Sequence, residues 1–140
     1  DLEDRLPALY AALYESLAAH SRLGLDVVAD LGHHDSYSRP LNLLPDCARR
    51  LAGLPTLFVG VTAPIETILE RRRADAKGGF YAVDEEIVRR WQDAVHATGI
   101  YDLTVDTGAM TPEACAEAVL AMLAKLPSPK AFERLAALQQ

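Results

Sequence analysis

Apolar residues recur every three or four positions at Leu2, Leu6, Leu9, Leu13, Leu17 and Ala18, which is one face of an α-helix. Pro7 fits a helix only near its first turn, so the helix is expected to begin close to it and to stop at Gly24. The period then shortens. LDVVADL over 25–31 reads as a strand, and TLFVGVT over 56–62 is an unbroken β-branched and aromatic run, the mark of a strand covered on both faces. IYDLTVDT over 100–107 is a third strand that alternates more. Residues 32–45, rich in Gly, His, Ser, Asn and Pro, read as a loop.

The remaining segments predict helices. DCARRLAGL is a short one with Asp46 as its cap, ended by Gly53 and Pro55. Pro64 opens APIETILERRRA, which DAKGG breaks; Asp84 caps EEIVRRWQDAVHA, which stops at Gly99. Thr111, Pro112 and Glu113 open TPEACAEAVLAMLAKL, Pro127 and Pro129 end it, and KAFERLAALQ forms a short terminal helix. Strands alternating with helices imply parallel strands joined by crossovers, an α/β domain with a parallel sheet flanked by helices. Ligands of such sheets sit outside the carboxyl ends of the strands. Those ends carry Asp30 with His33, His34 and Asp35, then Thr62, then Asp106 with Thr107.

Composition narrows the function classes. The 140 residues suffice for one domain, and the formal net charge of -6 disfavours generic binding to nucleic acid or anionic membrane. Cys47 and Cys115 fall in helix-like stretches and read as buried thiols of a reducing compartment, not as a disulfide framework. No apolar run nears the roughly 20 residues that span a bilayer, and no signal-peptide pattern is present. A soluble, cytoplasmic protein is expected.

Each chemistry-bearing residue has two readings. Asp30 can hold Mg²⁺ through water or orient a hydroxyl for attack on a phosphoryl group, or it can cap the amides of its own loop. His33, His34 and Asp35 can contact an acceptor substrate or ligate a metal, although adjacent loop histidines usually point apart. Arg71, Arg72, Arg73 and Lys77 run into the Gly-Gly break. Cations there complement the helix dipole; on a mobile lid they can also close over phosphates, with Arg71 or Arg72 the better contact. His96 reads as a contact at a helix C-terminus. Helix caps and turns account for Asp106 and Thr107 without a ligand. No GxxxxGK[ST], GxGxxG, nucleophile elbow or CxxC occurs.

The order VVADLGHHD, LAGLPTLFVGV, LERRR, then VHATGIYDLTVDT resembles the chloramphenicol phosphotransferase-like family of P-loop kinases, over about residues 20 to 124. The resemblance implies a three-layer P-loop-kinase sandwich and an ATP- and Mg²⁺-dependent O-phosphotransferase. Its acceptor is a small hydroxylated molecule, an antibiotic being one such class. By position, Asp30 matches the Walker-B-like carboxylate, a catalytic and metal-binding role. Arg72 matches a catalytic lid arginine. Arg71, Arg72, Lys77, Asp106 and Thr107 fall at nucleotide-binding positions, and His33, His34 and Asp35 face the acceptor. DAKGG stands where the family has an Arg-Gly-Asp-Arg-like run, and Lys77 cannot reproduce a bidentate fork.

The family's first strand and P-loop have no counterpart in the chain. Residues 1–126 are therefore expected to be the C-terminal part of such a domain, with a lid at about 71–83, and 127–140 a helical extension. ATP and Mg²⁺ binding by this chain alone is expected to be weak or absent. An upstream segment, direct pairing of the flanking strands, or a second copy in a homodimer would complete the sheet. The alternative function is a non-catalytic binding or interaction module derived from a kinase fold. Metal-dependent hydrolysis built on Asp30, His33, His34 and Asp35 is a distant third.

Overall fold

The computed structural model describes residues 2–75, 84–128 and 130–137. Its elements are α1 (Leu2–Arg22), α2 (Leu43–Arg50), β1 (Val59–Thr62), α3 (Ile65–Ala74), α4 (Glu85–Val95), β2 (Leu103–Asp106), α5 (Pro112–Leu123) and α6 (Ala131–Ala137). They form two compact units, a helical one (Asp1–Phe58 with Ser128–Gln140) and a sheet-bearing one (Val59–Pro127).

In the helical unit, α1 buries Tyr14 and Ala18 and packs against α2, while α6 packs on the same helix. Leu43, Cys47, Ala48 and Leu51 together with Ala131, Phe132 and Leu135 are buried, and Phe58 meets Phe132 with ring centroids 5.0 Å apart. Lys130 Nζ donates to the Leu54 carbonyl at 2.9 Å. Gly24, at φ 80°, closes α1 with paired bonds: its own N–H donates to Ser21 O at 3.0 Å and that of Leu25 to His20 O at 3.1 Å.

Three expectations for this unit need correction. Helix α1 starts at Leu2, so Pro7 lies inside it and cannot donate to the Glu3 carbonyl. The first turn is instead held from outside: Ser38 donates from its amide (2.7 Å) and hydroxyl to the Glu3 carboxylate, and Arg39 pairs with Asp4 at 2.8 Å. Helix α2 begins at Leu43 after Asn42 in a left-handed conformation (φ 53°), so Asp46 is inside the helix and not its cap; its carboxylate pairs with Arg49 and Arg50. Residues 25–31 form no strand, and Val28 is fully exposed. Apolar β-branched residues make a strand only with a ladder to join. Among the described residues, β1 and β2 bond to each other and to no third strand.

In the sheet unit, β1 and β2 pair in parallel with Val59 opposite Leu103 and Thr62 opposite Asp106. This is the parallel α/β arrangement at small scale, a two-stranded sheet flanked by helices. Its strands are shorter than the apolar runs that contain them. Helix α3 packs on α4 and α5 on β2, with Leu69, Val88 and Val105 buried. The caps of α4 and α5 are those expected: Asp84 accepts from Ile87 N at 3.1 Å and Thr111 from Ala114 N at 3.2 Å, with Pro112 in the first turn. Tyr101 lays its ring over Gly60, where an added Cβ would meet it at 2.8 Å, and its hydroxyl bonds His96 Nδ1 at 2.7 Å. His96 itself is the C-cap of α4. No described helix is long and apolar enough to cross a membrane.

Candidate functional site

Because β1 and β2 run in parallel, both deliver their carboxyl ends to one edge of the sheet unit. There Thr107 N donates to Thr62 O at 2.8 Å and Thr107 Oγ1 to the same carbonyl at 3.1 Å. Thr62 Oγ1 donates in turn to Val105 O at 3.2 Å. Beyond β2 the chain turns sharply, with Gly108 N donating to Asp106 Oδ1 at 2.8 Å and Met110 N to Asp106 O at 2.9 Å. The turn needs a glycine at 108 for space: an added Cβ would lie 2.4 Å from Pro64 Cδ, a rigid ring atom.

Helix α3 leaves β1 through Ala63 and Pro64 and returns Arg71 in its last turn to this edge. Arg71 donates from Nη1 to Thr107 Oγ1 at 2.9 Å and from Nη2 to Thr107 O at 2.6 Å. A two-point fork onto neutral oxygens fixes the guanidinium without cancelling its charge. Among the described residues, none of the ion pairs involves Arg71. Beside it is an open recess of about 280 Å³ lined by Val61, Thr62, Ala63, Ile68, Arg71, Arg72, Gln92 and Thr107. Arg72 is half-buried there, whereas Arg71 is exposed. Two guanidinium groups and a carboxamide on an apolar floor can hold an oxyanion: the charges attract it and the N–H groups saturate its lone pairs, while both threonine hydroxyls already donate to strand-end carbonyls.

The structure therefore gathers Arg71, Arg72 and Thr107 of the expected site, with Asp106 shaping the turn beside them. Lys77 lies outside the described residues. The other expected residues belong to the helical unit and have different partners. Asp30 is exposed. His33 is buried at 6% exposure, shares a hydrogen bond between Nε2 and Tyr14 Oη at 2.7 Å, and has the Tyr10 and Tyr14 rings at 5.8 and 5.7 Å. Burial, with the His34 charge adding to it, pushes the His33 pKa down to about 4, so the imidazole is neutral at pH 7. Burial likewise raises the Tyr14 phenol, and the Cys47 thiol up to about 12. His34 stacks on Tyr37 with centroids 4.4 Å apart and accepts from Ser36 N at 3.2 Å through Nδ1. Asp35 Oδ1 accepts from Leu41 N and Asn42 N, each at 3.0 Å, and so organises the turn into α2.

Two lining residues gave weak sequence signals. Thr62 was legible as a polar strand end, but Gln92 looked like any uncharged polar residue of an amphipathic helix.

The family model for chloramphenicol phosphotransferase-like proteins matches residues 1–124. The chain belongs to this family. No curated protein and no solved structure matches it. Membership points to a phosphotransferase of the kinase type, whose chemistry in general uses a nucleotide and a metal ion. The described residues fit part of that requirement. Their recess suits a phosphate group, but no three His, Cys, Asp or Glu among them could jointly hold a metal ion. The sequence also has no GxxxxGK[ST] loop to cradle a nucleotide's phosphates.

Proposed function

We propose that this chain carries the arginine-bearing part of an ATP-dependent O-phosphotransferase acting on a small hydroxylated molecule. The recess at the carboxyl ends of β1 and β2 is the place where a phosphate group is held. One observation carries the reading: Arg71 is fixed by Thr107 without a carboxylate partner among the described residues, next to Arg72 and open to solvent. A structural arginine is normally neutralised or solvated; one held rigidly by neutral oxygens keeps its charge for an incoming anion. Gln92 supplies a neutral amide that orients such a ligand.

The reading is tested by thermal denaturation in inorganic phosphate or pyrophosphate, then in Mg-ATP with candidate hydroxylated acceptors. A ligand bound by the native state alone raises its stability by mass action, about 2.7 kcal/mol at a hundredfold excess over Kd. Stabilisation by pyrophosphate that disappears in Arg72→Ala supports the site. Indifference of the wild-type melting temperature to every phosphate-bearing ligand would defeat it. Phosphate binding with no transfer to any acceptor favours the alternative of a kinase-derived binding module.

A further inference from the structure

Arg71 has five N–H donors, and Thr107 takes one from each terminal nitrogen. The fork is thus engaged at its Nη1–Nη2 end, which leaves Nε–H and the second hydrogen of each Nη for another partner. Thr107 is in turn fixed from behind, since its amide and hydroxyl both donate to Thr62 O, the last carbonyl of β1. A relay therefore runs from the sheet edge through Thr62 and Thr107 to Arg71. Its final hydrogen bonds are separated in sequence by 36 positions and are made by tertiary structure alone.

We propose that Thr107 is a positioning residue: by gripping Arg71 end-on with its hydroxyl and carbonyl, it presents the remaining edge of that guanidinium to a phosphate oxygen in the recess. This role rests on the phosphate-site reading above and adds to it. Without the grip, Arg71 is an exposed side chain on the last turn of a helix, free to sample several rotamers, each of which an anion must freeze out on binding. With it, the fork is set before the ligand arrives. The carbonyl grips in any variant; the hydroxyl is the part that a substitution removes.

The test is a phosphate titration of the full chain, isotopically labelled, in wild type, Thr107→Val, Thr107→Ser, Arg71→Ala and the Arg71→Ala/Thr107→Val double variant. The Arg71 Nε–Hε resonance, assigned by its loss in Arg71→Ala, reports the grip directly. Thr107→Val is expected to move that resonance toward the position of a solvated arginine and to weaken phosphate binding about fivefold, the scale of one hydrogen bond. Thr107→Ser, which keeps the hydroxyl, restores both. In the Arg71→Ala background Thr107→Val has no further effect on affinity. An equal loss with and without Arg71 overturns the positioning role, because Thr107 then acts on the ligand or the fold by another route. So does an Arg71 resonance that ignores Thr107→Val while wild type binds phosphate normally. If wild type binds no phosphate, the parent reading fails and takes this role with it, even where the resonance shows the grip intact.

Discussion

In the helical unit, histidine and aspartate spend their polar atoms on the protein itself. His33 is enclosed by Tyr10 and Tyr14 and bonded to the latter, and Asp35 caps two backbone amides. In the sheet unit, Arg71 is gripped just as firmly, but by groups that leave its charge intact beside an open recess. As sequence, GHHD and ERRR are equally suggestive of chemistry. What separates them is the partner: a buried, neutral imidazole bonded to a tyrosine stabilises a fold, whereas an anchored cation open to solvent invites a ligand.

The largest effect that sharpens this contrast is acid sensitivity of the helical unit. His33 has a folded pKa of about 4 against an ordinary value of 6.5, so the unfolded chain binds its proton more readily. Stability rises with pH wherever the unfolded state holds more protons. The contribution is therefore intact above about pH 6.5, is lost as pH falls toward 4, and changes no further below that. The loss is on the order of 3 kcal/mol. Chemical denaturation at pH 7 and pH 4.5 checks it, with His33→Gln expected to flatten the His33 share of the difference. An unchanged pH profile in that variant would place the acid response elsewhere.

Next in size is the turn that builds the recess. Gly108→Ala forces a methyl to within 2.4 Å of Pro64 Cδ, and rigid overpacking of this kind costs about 1–3 kcal/mol. Denaturant midpoints should fall accordingly, and phosphate binding should weaken because Thr107 moves with the turn. Thr111→Ala, which removes the α5 cap at the far end of the same loop, should cost about 1 kcal/mol with phosphate affinity retained. Comparing the two separates damage to the recess from damage to the unit. Smallest is Asp4→Ala: its pair with Arg39 is solvent-exposed on both sides, and such pairs contribute about 0–1 kcal/mol, less at high salt. A shift in melting temperature near the limit of measurement is expected.

Local chemistry made much of this readable in advance. The caps Asp84 and Thr111, the Gly24 stop and the parallel relation of the 59–62 and 103–106 strands each depend on residues close in sequence or on a simple period. The misses involve partners far away. Pro7 sits inside α1 because Ser38 and Arg39 secure the turn before it, and LDVVADL is not a strand because no strand among the described residues offers it a ladder. Of the site, Arg71, Arg72 and Thr107 were legible as residues of the right type at a strand end and a helix end. Their mutual geometry was not, since no pattern encodes a contact across 36 positions. The burial of His33 was hidden for the same reason: Tyr14 lies 19 positions upstream.

The most direct test of the central claim is a backbone and side-chain amide titration with inorganic phosphate at low ionic strength. The expected result is saturable shifts at Thr62, Arg71, Arg72, Gln92 and Thr107, with the signals of His33, His34 and Asp35 unmoved. Shifts concentrated at 33–35, or no saturable response at the strand ends, would contradict it.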